Sequence, residues 1–309
     1  MLDAIVSVCR LRKLYGATVA LDEVSFEARR GEVFALLGPN GSGKTSTLEV
    51  LEGLRRADGG SLSIDGIDPA CQPRKLWSRI GVQLQTSALP SAMTVDETMR
   101  FFCTYHGVRT RHDLIERLGL SEKASTPYAQ LSAGQQRRLA LAVALANEPA
   151  VVFLDEPTAG LDVQSRADLH ALVGELKARG ATVVLATHDM AEAEKLADRV
   201  AILLRGRVAA IGSPRQLTVA ARRKTRISVA TENGRLADRR PELPAAAFEG
   251  VTDGYVSYLC SSVATTVSAI VAWLERDGDR LVDLRVERPG LEECFLEITA
   301  DHPVEGGAA

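Results

Sequence analysis

Apolar and polar positions change period several times along this chain, and the changes divide it into elements. Ile5 to Leu11 alternates apolar with polar residues, and Val24 to Ala28 does so again, the pattern of strands with one face turned to a core. The Arg29-Arg30-Gly31-Glu32 turn then leads into Val33 to Leu37, a continuous apolar run of buried-strand length. Leu48, Leu51 and Leu54 recur at helical spacing over Ser46 to Leu54. Leu62-Ser63-Ile64 with Asp65-Gly66 reads as a hairpin strand and its turn. Ile80 to Gln85 reads as a strand ending in a glutamine. From Val95 to about Leu118 the pattern is helical and more polar, with Met99, Phe102 and Cys103 on one face, as in a helical insertion. A second strong helix opens at Leu131 to Gln136, runs through Ala146 and is closed by Pro149. Val151 to Leu154 and Thr182 to Thr187 are again core-strand runs.

The tail changes character. Past the Arg205-Gly206 hairpin turn and Gly212-Ser213-Pro214, a basic cluster, Arg222-Arg223-Lys224, marks a linker. Ile227 to Val229 and Tyr255 to Cys260 then alternate like strands, and Val267, Ile270, Val271 and Leu274 share a helical face. Leu281 to Val286 reads as a strand, and after Pro289-Gly290 a last helix turns Leu291, Phe295 and Ile298 to one side. The expected organisation is a first domain over 1–218 with a helical region at about 88–147, a linker at 219–225, and a small α+β domain over 226–309.

Composition narrows the classes. At 309 residues, 46% hydrophobic and 25% charged, the chain has room for one full domain and a smaller one. A net charge of −3 gives no electrostatic case for nucleic acid as a partner. The longest apolar stretch, Leu139 to Leu154, is broken by Asn147-Glu148-Pro149, short of a membrane span, so a membrane role would be borrowed from a partner. The start, Met1-Leu2-Asp3, has no basic region before an apolar core, and the five scattered cysteines form no CxxC pair; both favour the cytoplasm.

The chemistry concentrates at strand ends. Gly38-Pro39-Asn40-Gly41-Ser42-Gly43-Lys44-Thr45, followed by Ser46, joins a buried strand to a helix and reads as a phosphate cradle. Its glycines let backbone N–H groups turn toward an anion, and the helix start adds its positive dipole end. Lys44 is placed to reach the β and γ phosphates, and the Thr45 hydroxyl to ligate Mg²⁺. Asp155-Glu156, two carboxylates ending a buried strand, are costly without a cation or a proton to handle. Asp155 is expected to hold Mg²⁺ and Glu156 to face an attacking water. Gln85 and His188 end two further core strands, where open α/β sheets bind ligands, and His188 is a candidate sensor of the γ-phosphate. Tyr15 could stack on adenine or simply fill a surface. Ser132 and Gln135 have capping-box spacing, which accounts for both. It leaves Gly134 unexplained in a first turn, where glycine weakens a helix by about 1 kcal/mol relative to alanine.

Taken in order, Tyr15, the cradle, Gln85, the signature Leu131 to Gln135, the acidic pair, Ala159-Gly160-Leu161-Asp162 and His188 resemble the nucleotide-binding subunit of ATP-binding cassette transporters. The likeness covers roughly residues 4 to 215. It implies a P-loop NTPase α/β core with an antiparallel β subdomain and a helical subdomain, ATP and Mg²⁺ as cofactors, and ATP hydrolysis in a head-to-tail homodimer. In that dimer Ser132 and Gly134, with Gln135, would close on ATP held by the partner's cradle, and Asp162 would lie at the contact. Gln85 would link Mg²⁺ to the helical subdomain and to a separate membrane permease, placing the chain peripherally on the inner face of the membrane. The signature departs from the family in Ala133, where glycine is common. The ending from Arg285 to Leu296 is similar to the daunorubicin and drug-resistance exporter branch, implying export of a drug, lipid or polysaccharide. The alternative is a soluble, non-transport cassette ATPase acting as a nucleotide-dependent regulator.

Overall fold

The computed structural model describes residues 3–85, 89–220, 225–287 and 289–301 and divides into two compact units, Met1–Pro214 and Arg215–Ala309. The centre of the first unit is a six-stranded sheet of β3 (Val33–Leu37), β5 (Ile80–Gln83), β6 (Val151–Asp155), β7 (Thr182–Thr187), β8 (Arg199–Leu204) and β9 (Arg207–Gly212). Its order is β5-β6-β7-β3-β8-β9, parallel except for the antiparallel β8–β9 hairpin. Every residue of β3, β6 and β7 is buried, which is why these strands read as unbroken apolar runs.

Alternate residues of the sheet serve two cores. Phe34, Leu36, Phe153, Val184 and Ala186 face one side, where they meet a three-stranded antiparallel layer and α1 (Lys44–Leu51). That layer has the order β2-β1-β4, from β1 (Ala4–Tyr15), β2 (Thr18–Arg29) and β4 (Gly59–Ile64). Phe26 of β2 stacks on Phe34 with ring centroids 5.1 Å apart. Val33, Val152, Leu154, Val183 and Leu185 face the opposite side, against Met99 and Cys103 of α3 (Val95–Tyr105), Leu114 of α4 (His112–Arg117), Leu139 and Leu141 of α5 (Ala133–Ala144) and Leu169 and Leu172 of α6 (Val163–Ala178). Two shorter helices, α2 (Pro73–Trp77) and α7 (Met190–Leu196), complete this unit.

Three readings change. β4 pairs with β1 and closes only a single bridge, Ile64 to Ile67, across Asp65-Gly66, so the hairpin is local to that turn. β5 ends at Gln83, whose side chain is buried, and leaves Gln85 exposed beyond it. α5 stops at Ala144, four residues before Glu148, and Pro149 follows a capped end rather than making one.

The second unit comprises α8 (Pro214–Ala220), β10 (Thr225–Thr231), α9 (Arg235–Arg239), β11 (Ala246–Thr252), β12 (Tyr255–Cys260), α10 (Val263–Asp277), β13 (Leu281–Glu287) and α11 (Leu291–Asp301). The antiparallel sheet order β11-β12-β10-β13 with a helix in each crossover is the β-α-β-β-α-β arrangement. Ile227, Val229, Val256 and Tyr258 bury one face against Ile270 and Leu274. The units divide after Pro214 rather than at 218, because α8 belongs with the tail: the Cys294 thiol donates to the Leu217 carbonyl. Arg222-Arg223-Lys224 and Arg288 lie outside the described residues. Among the described residues no helix is long and apolar enough to cross a membrane.

Gly81 of β5 seats the end of α5, since a Cβ there would lie 2.0 Å from the Ala144 carbonyl oxygen. Gly81→Ala is therefore expected to cost about 2 kcal/mol or more, read as a lower denaturation midpoint at unchanged denaturant slope.

Candidate active site

The cradle joins β3 to α1 with Gly41 at φ +79° and Gly43 at φ +105°, the left-handed region that favours glycine. A Cβ on Gly43 would also sit 2.7 Å from a Leu21 methyl and 2.9 Å from the Ala20 carbonyl oxygen. Gly43 is the N-cap of α1 and supplies no side-chain cap, and the first turn carries no acidic residue. The leading N–H groups of α1 are thus open to an anion. Ser42 Oγ is buried without a hydrogen-bond partner among the described residues. Lys44 is buried, with Nζ donating to the carbonyls of Gly38 at 2.8 Å and Pro39 at 3.2 Å. The cradle fits a phosphate on each of these counts.

Asp155 and Glu156 meet it from the end of β6. Asp155 is buried and its Oδ1 has no partner among the described residues. Burial pushes its carboxyl above the usual range; the Thr45 hydroxyl pulls it back, and neighbouring Glu156 adds to the rise. A cation here would take Thr45 and Asp155 as protein ligands. No group of three or more His, Cys, Asp or Glu among the described residues could hold a metal alone. The remaining ligands would be phosphate oxygens and water, as Mg²⁺ prefers. Glu156 adopts φ +49°. Its Oε2 lies 2.7 Å from His188 Nδ1 and its Oε1 3.4 Å from Lys44 Nζ. The structure thus brings Lys44, Glu156 and His188 together, and Thr45 with Asp155.

The other candidates take their own positions. Ser132 is exposed at the N-cap of α5, where the box with Gln135 is complete: Gln135 N–H donates to Ser132 Oγ at 3.3 Å and Ser132 N–H to Gln135 Oε1 at 2.9 Å. Gly134 faces open space apart from a Leu161 methyl, 3.6 Å from where its Cβ would be. Ala133 is the first helical residue and has no positive φ, so alanine is unstrained in place of glycine. Tyr15, exposed at the end of β1, donates from its hydroxyl to Glu49 Oε2 at 3.3 Å, with Lys13 Nζ 5.4 Å from the ring centroid. Asp162 caps α6 by accepting from Ser165 N at 2.8 Å. Pro39, Asn40 and Ser46 lie in the cradle segment, and Gln85 stands outside β5 in solvent.

Two residues beside the site escape sequence reasoning. Glu52 at the end of α1 is 1% exposed, with neither carboxylate oxygen partnered among the described residues. Burial, with the charges of Asp155 and Glu49, pushes its carboxyl up to about 8. The signal was its place four residues after Leu48, on the buried face. Arg137 of α5 donates to the carbonyl of Glu156 at 2.9 Å. It reads as solvated helix surface, and nothing in the spacing marks it.

Fold and site together define a nucleotide-binding cassette, and comparison with known proteins agrees. A family model described as ABC transporter matches residues 21–159. The chain is 34% identical over 305 residues to the daunorubicin resistance ATP-binding protein DrrA2 of Streptomyces coeruleorubidus, covering 94% of this chain and 93% of that protein. It is 39% identical over 223 residues to a fluoroquinolones export ATP-binding protein of Mycobacterium tuberculosis (71% and 74%) and 41% over 219 residues to the Nod factor export ATP-binding protein I of Ralstonia nicotianae (69% and 68%). Among solved structures, the ATP-binding subunit of an ABC transporter aligns with TM-score 0.66 at 30% identity over 70% of this chain and 92% of that one. A dimeric cassette in a post-hydrolysis state bound to ADP and Pi aligns with TM-score 0.63 at 28% identity, over 67% and 98%. The chain belongs to the ABC transporter family, as an ATP-binding subunit that hydrolyses ATP to power transport.

Glu52 gives a pH dependence with a definite sign. Its folded value of about 8 lies above the ordinary 4.5, so between those limits the native state keeps a proton that the unfolded chain has released. Stability falls as pH rises through that window and levels off above it. Glu52→Gln should therefore melt at a higher temperature than the parent near pH 9, with the gap closing toward pH 4.5, in paired thermal scans.

Proposed function

We propose that two copies of this chain close head to tail on two ATP molecules and drive export through a separate membrane permease, with hydrolysis resetting the pair. The observation that carries this is the start of α5: Ser132 stands exposed and Gly134 faces nearly open space. A surface polar enough to touch phosphate and bare enough to admit it suits a nucleotide brought by another chain. The relative solved as a dimer with ADP and Pi supports the same arrangement. The names of the relatives, daunorubicin resistance, fluoroquinolones export and Nod factor export, favour outward transport, with a drug, lipid or polysaccharide as cargo.

In this reading each residue has a task. Lys44 leaves the cradle carbonyls for the β and γ phosphates and offsets charge on the transferring group. Thr45 and Asp155, with Gln85, would hold Mg²⁺. When bound, the ion neutralises phosphate charge and orients the phosphate oxygens. Glu156 divides its labour between its oxygens. Oε2 is anchored by His188, while Oε1, buried, without a hydrogen-bond partner among the described residues and 3.4 Å from Lys44 Nζ, is the atom that takes a proton from water once Lys44 has moved to the phosphates. His188 also senses the γ-phosphate, Tyr15 stacks on adenine, and Asp162 lies at the contact between copies.

A permease contact has its own support. Leu54, Trp77, Leu84 and Tyr105 are exposed apolar residues around a groove of about 290 Å³. Such a patch marks a surface that another protein covers. Tyr105→Glu, in a residue 69% exposed, should leave basal ATPase activity at the parent level and abolish copurification with the permease.

Glu156→Gln tests the engine directly. Hydrolysis should fall at least about a hundredfold while ATP binding persists, and size-exclusion chromatography with Mg-ATP should show a dimer accumulating. Turnover at the parent rate would remove Glu156 as the base.

A further inference from the structure

Arg137 sits on the face of α5 one turn past Ala133 and reaches across to the strand-end turn of β6. Its Nη1 donates to the carbonyl of Glu156 at 2.9 Å and approaches that of Pro157 at 3.4 Å. The acceptor belongs to a residue in a conformation that non-glycine residues seldom adopt, φ +49°. Such a conformation persists only when its surroundings over-determine it. On the other side the Glu156 N–H donates to the Ala186 carbonyl at 2.9 Å. The backbone of Glu156 is therefore pinned between β7 and α5, and the bearing of its carboxylate follows from both.

The α5 pin differs in kind from the β7 pin. β7 is an interior strand of the sheet, whereas α5 begins with Ser132 and Gly134 on an open surface. A cleft of about 320 Å³ opens beside Arg137, lined also by Leu141, Leu161, Ser165 and Leu169. The guanidinium borders this cleft, so the first turn of α5, which is exposed at Ser132 and Ala133, is packed less closely than its far end, which Gly81 seats. A helix is stiff over one turn, so a displacement at Gly134 is carried to Arg137 and from there to the Glu156 carbonyl.

We infer that Arg137 is a positioning residue: it converts engagement of the α5 start by a second copy into the correct aim of the Glu156 carboxylate. The inference rests on the reading of Glu156 as base and of the dimer given above. It accounts for a long cation spent on two backbone carbonyls beside an active site, which helix solvation alone does not.

Steady-state ATPase assays on the full chain decide it. Arg137→Met should lower kcat about tenfold or more, since misplacement of a reacting group by about 1 Å can cost a hundredfold. KM and the thermal midpoint should stay within about twofold and a degree or two of the parent. Arg137→Lys, which keeps one donor direction, should recover a substantial part of kcat. Glu156→Gln with and without Arg137→Met should dimerise at the same Mg-ATP concentration. Parent kcat in Arg137→Met overturns the inference, and so does a kcat loss matched by a fall in midpoint and in dimer formation, which would mark a stitch in the fold. Should Arg137→Met fail to fold, Arg137→Gln carries the same readings. Loss of the underlying base assignment is separately visible, as parent turnover in Glu156→Gln alone.

Discussion

Two carboxylates end a strand that is buried along its whole length, and much of the first unit is arranged to make that tolerable. Isolated charges in such a place are costly, and a fold keeps them only with counter-charge or a proton at hand. Here the offsets come from three directions. Lys44 arrives from the cradle, His188 from the end of β7, and the Thr45 hydroxyl from the first turn of α1. Each partner is delivered by an element whose opposite side is locked into an apolar core. The sheet therefore sets the distances among these side chains, and the loops inherit them.

The same economy of position governs the helix starts. α1 opens on a glycine that cannot cap it, leaving donors for a ligand, whereas α5 opens on a complete box that satisfies itself and leaves its glycine bare. One start is a vessel for phosphate within the chain. The other is a finished surface. Arg137 ties the second to the strand-end turn beside the first, through its hydrogen bond to the Glu156 carbonyl.

Much of this was legible in the residues, and the exceptions have causes. The core strands were plain because burial on both faces removes alternation, and the cradle because few sequences place three glycines, Lys and Thr between a strand and a helix. The alternation shows β1 only as far as Leu11, since register shifts between Val8 and Lys13 break the period before Arg12 to Tyr15. β11 gives no period to read: it is a largely exposed edge strand, bulged between Phe248 and Gly250, with no clean buried face. α9 is five residues long between left-handed Gly234 and Arg240, too short for any period. Gln83 and Gln85 both suit a strand end, and only burial separates the strand-final Gln83 from the exposed Gln85 beyond it. At the site, residue type announced Lys44, Thr45, Asp155 and Glu156, while Arg137 donates to a backbone carbonyl that any residue would offer.

The second unit draws its apolar centre from its own residues, Ile227 through Leu274. Two of the export ATP-binding proteins compared above align with 69% and 71% of this chain, and a daunorubicin resistance protein with 94% of it. A module that closes its own interior carries its packing constraints within its own sequence, so changes there are judged first against Ile227 to Leu274.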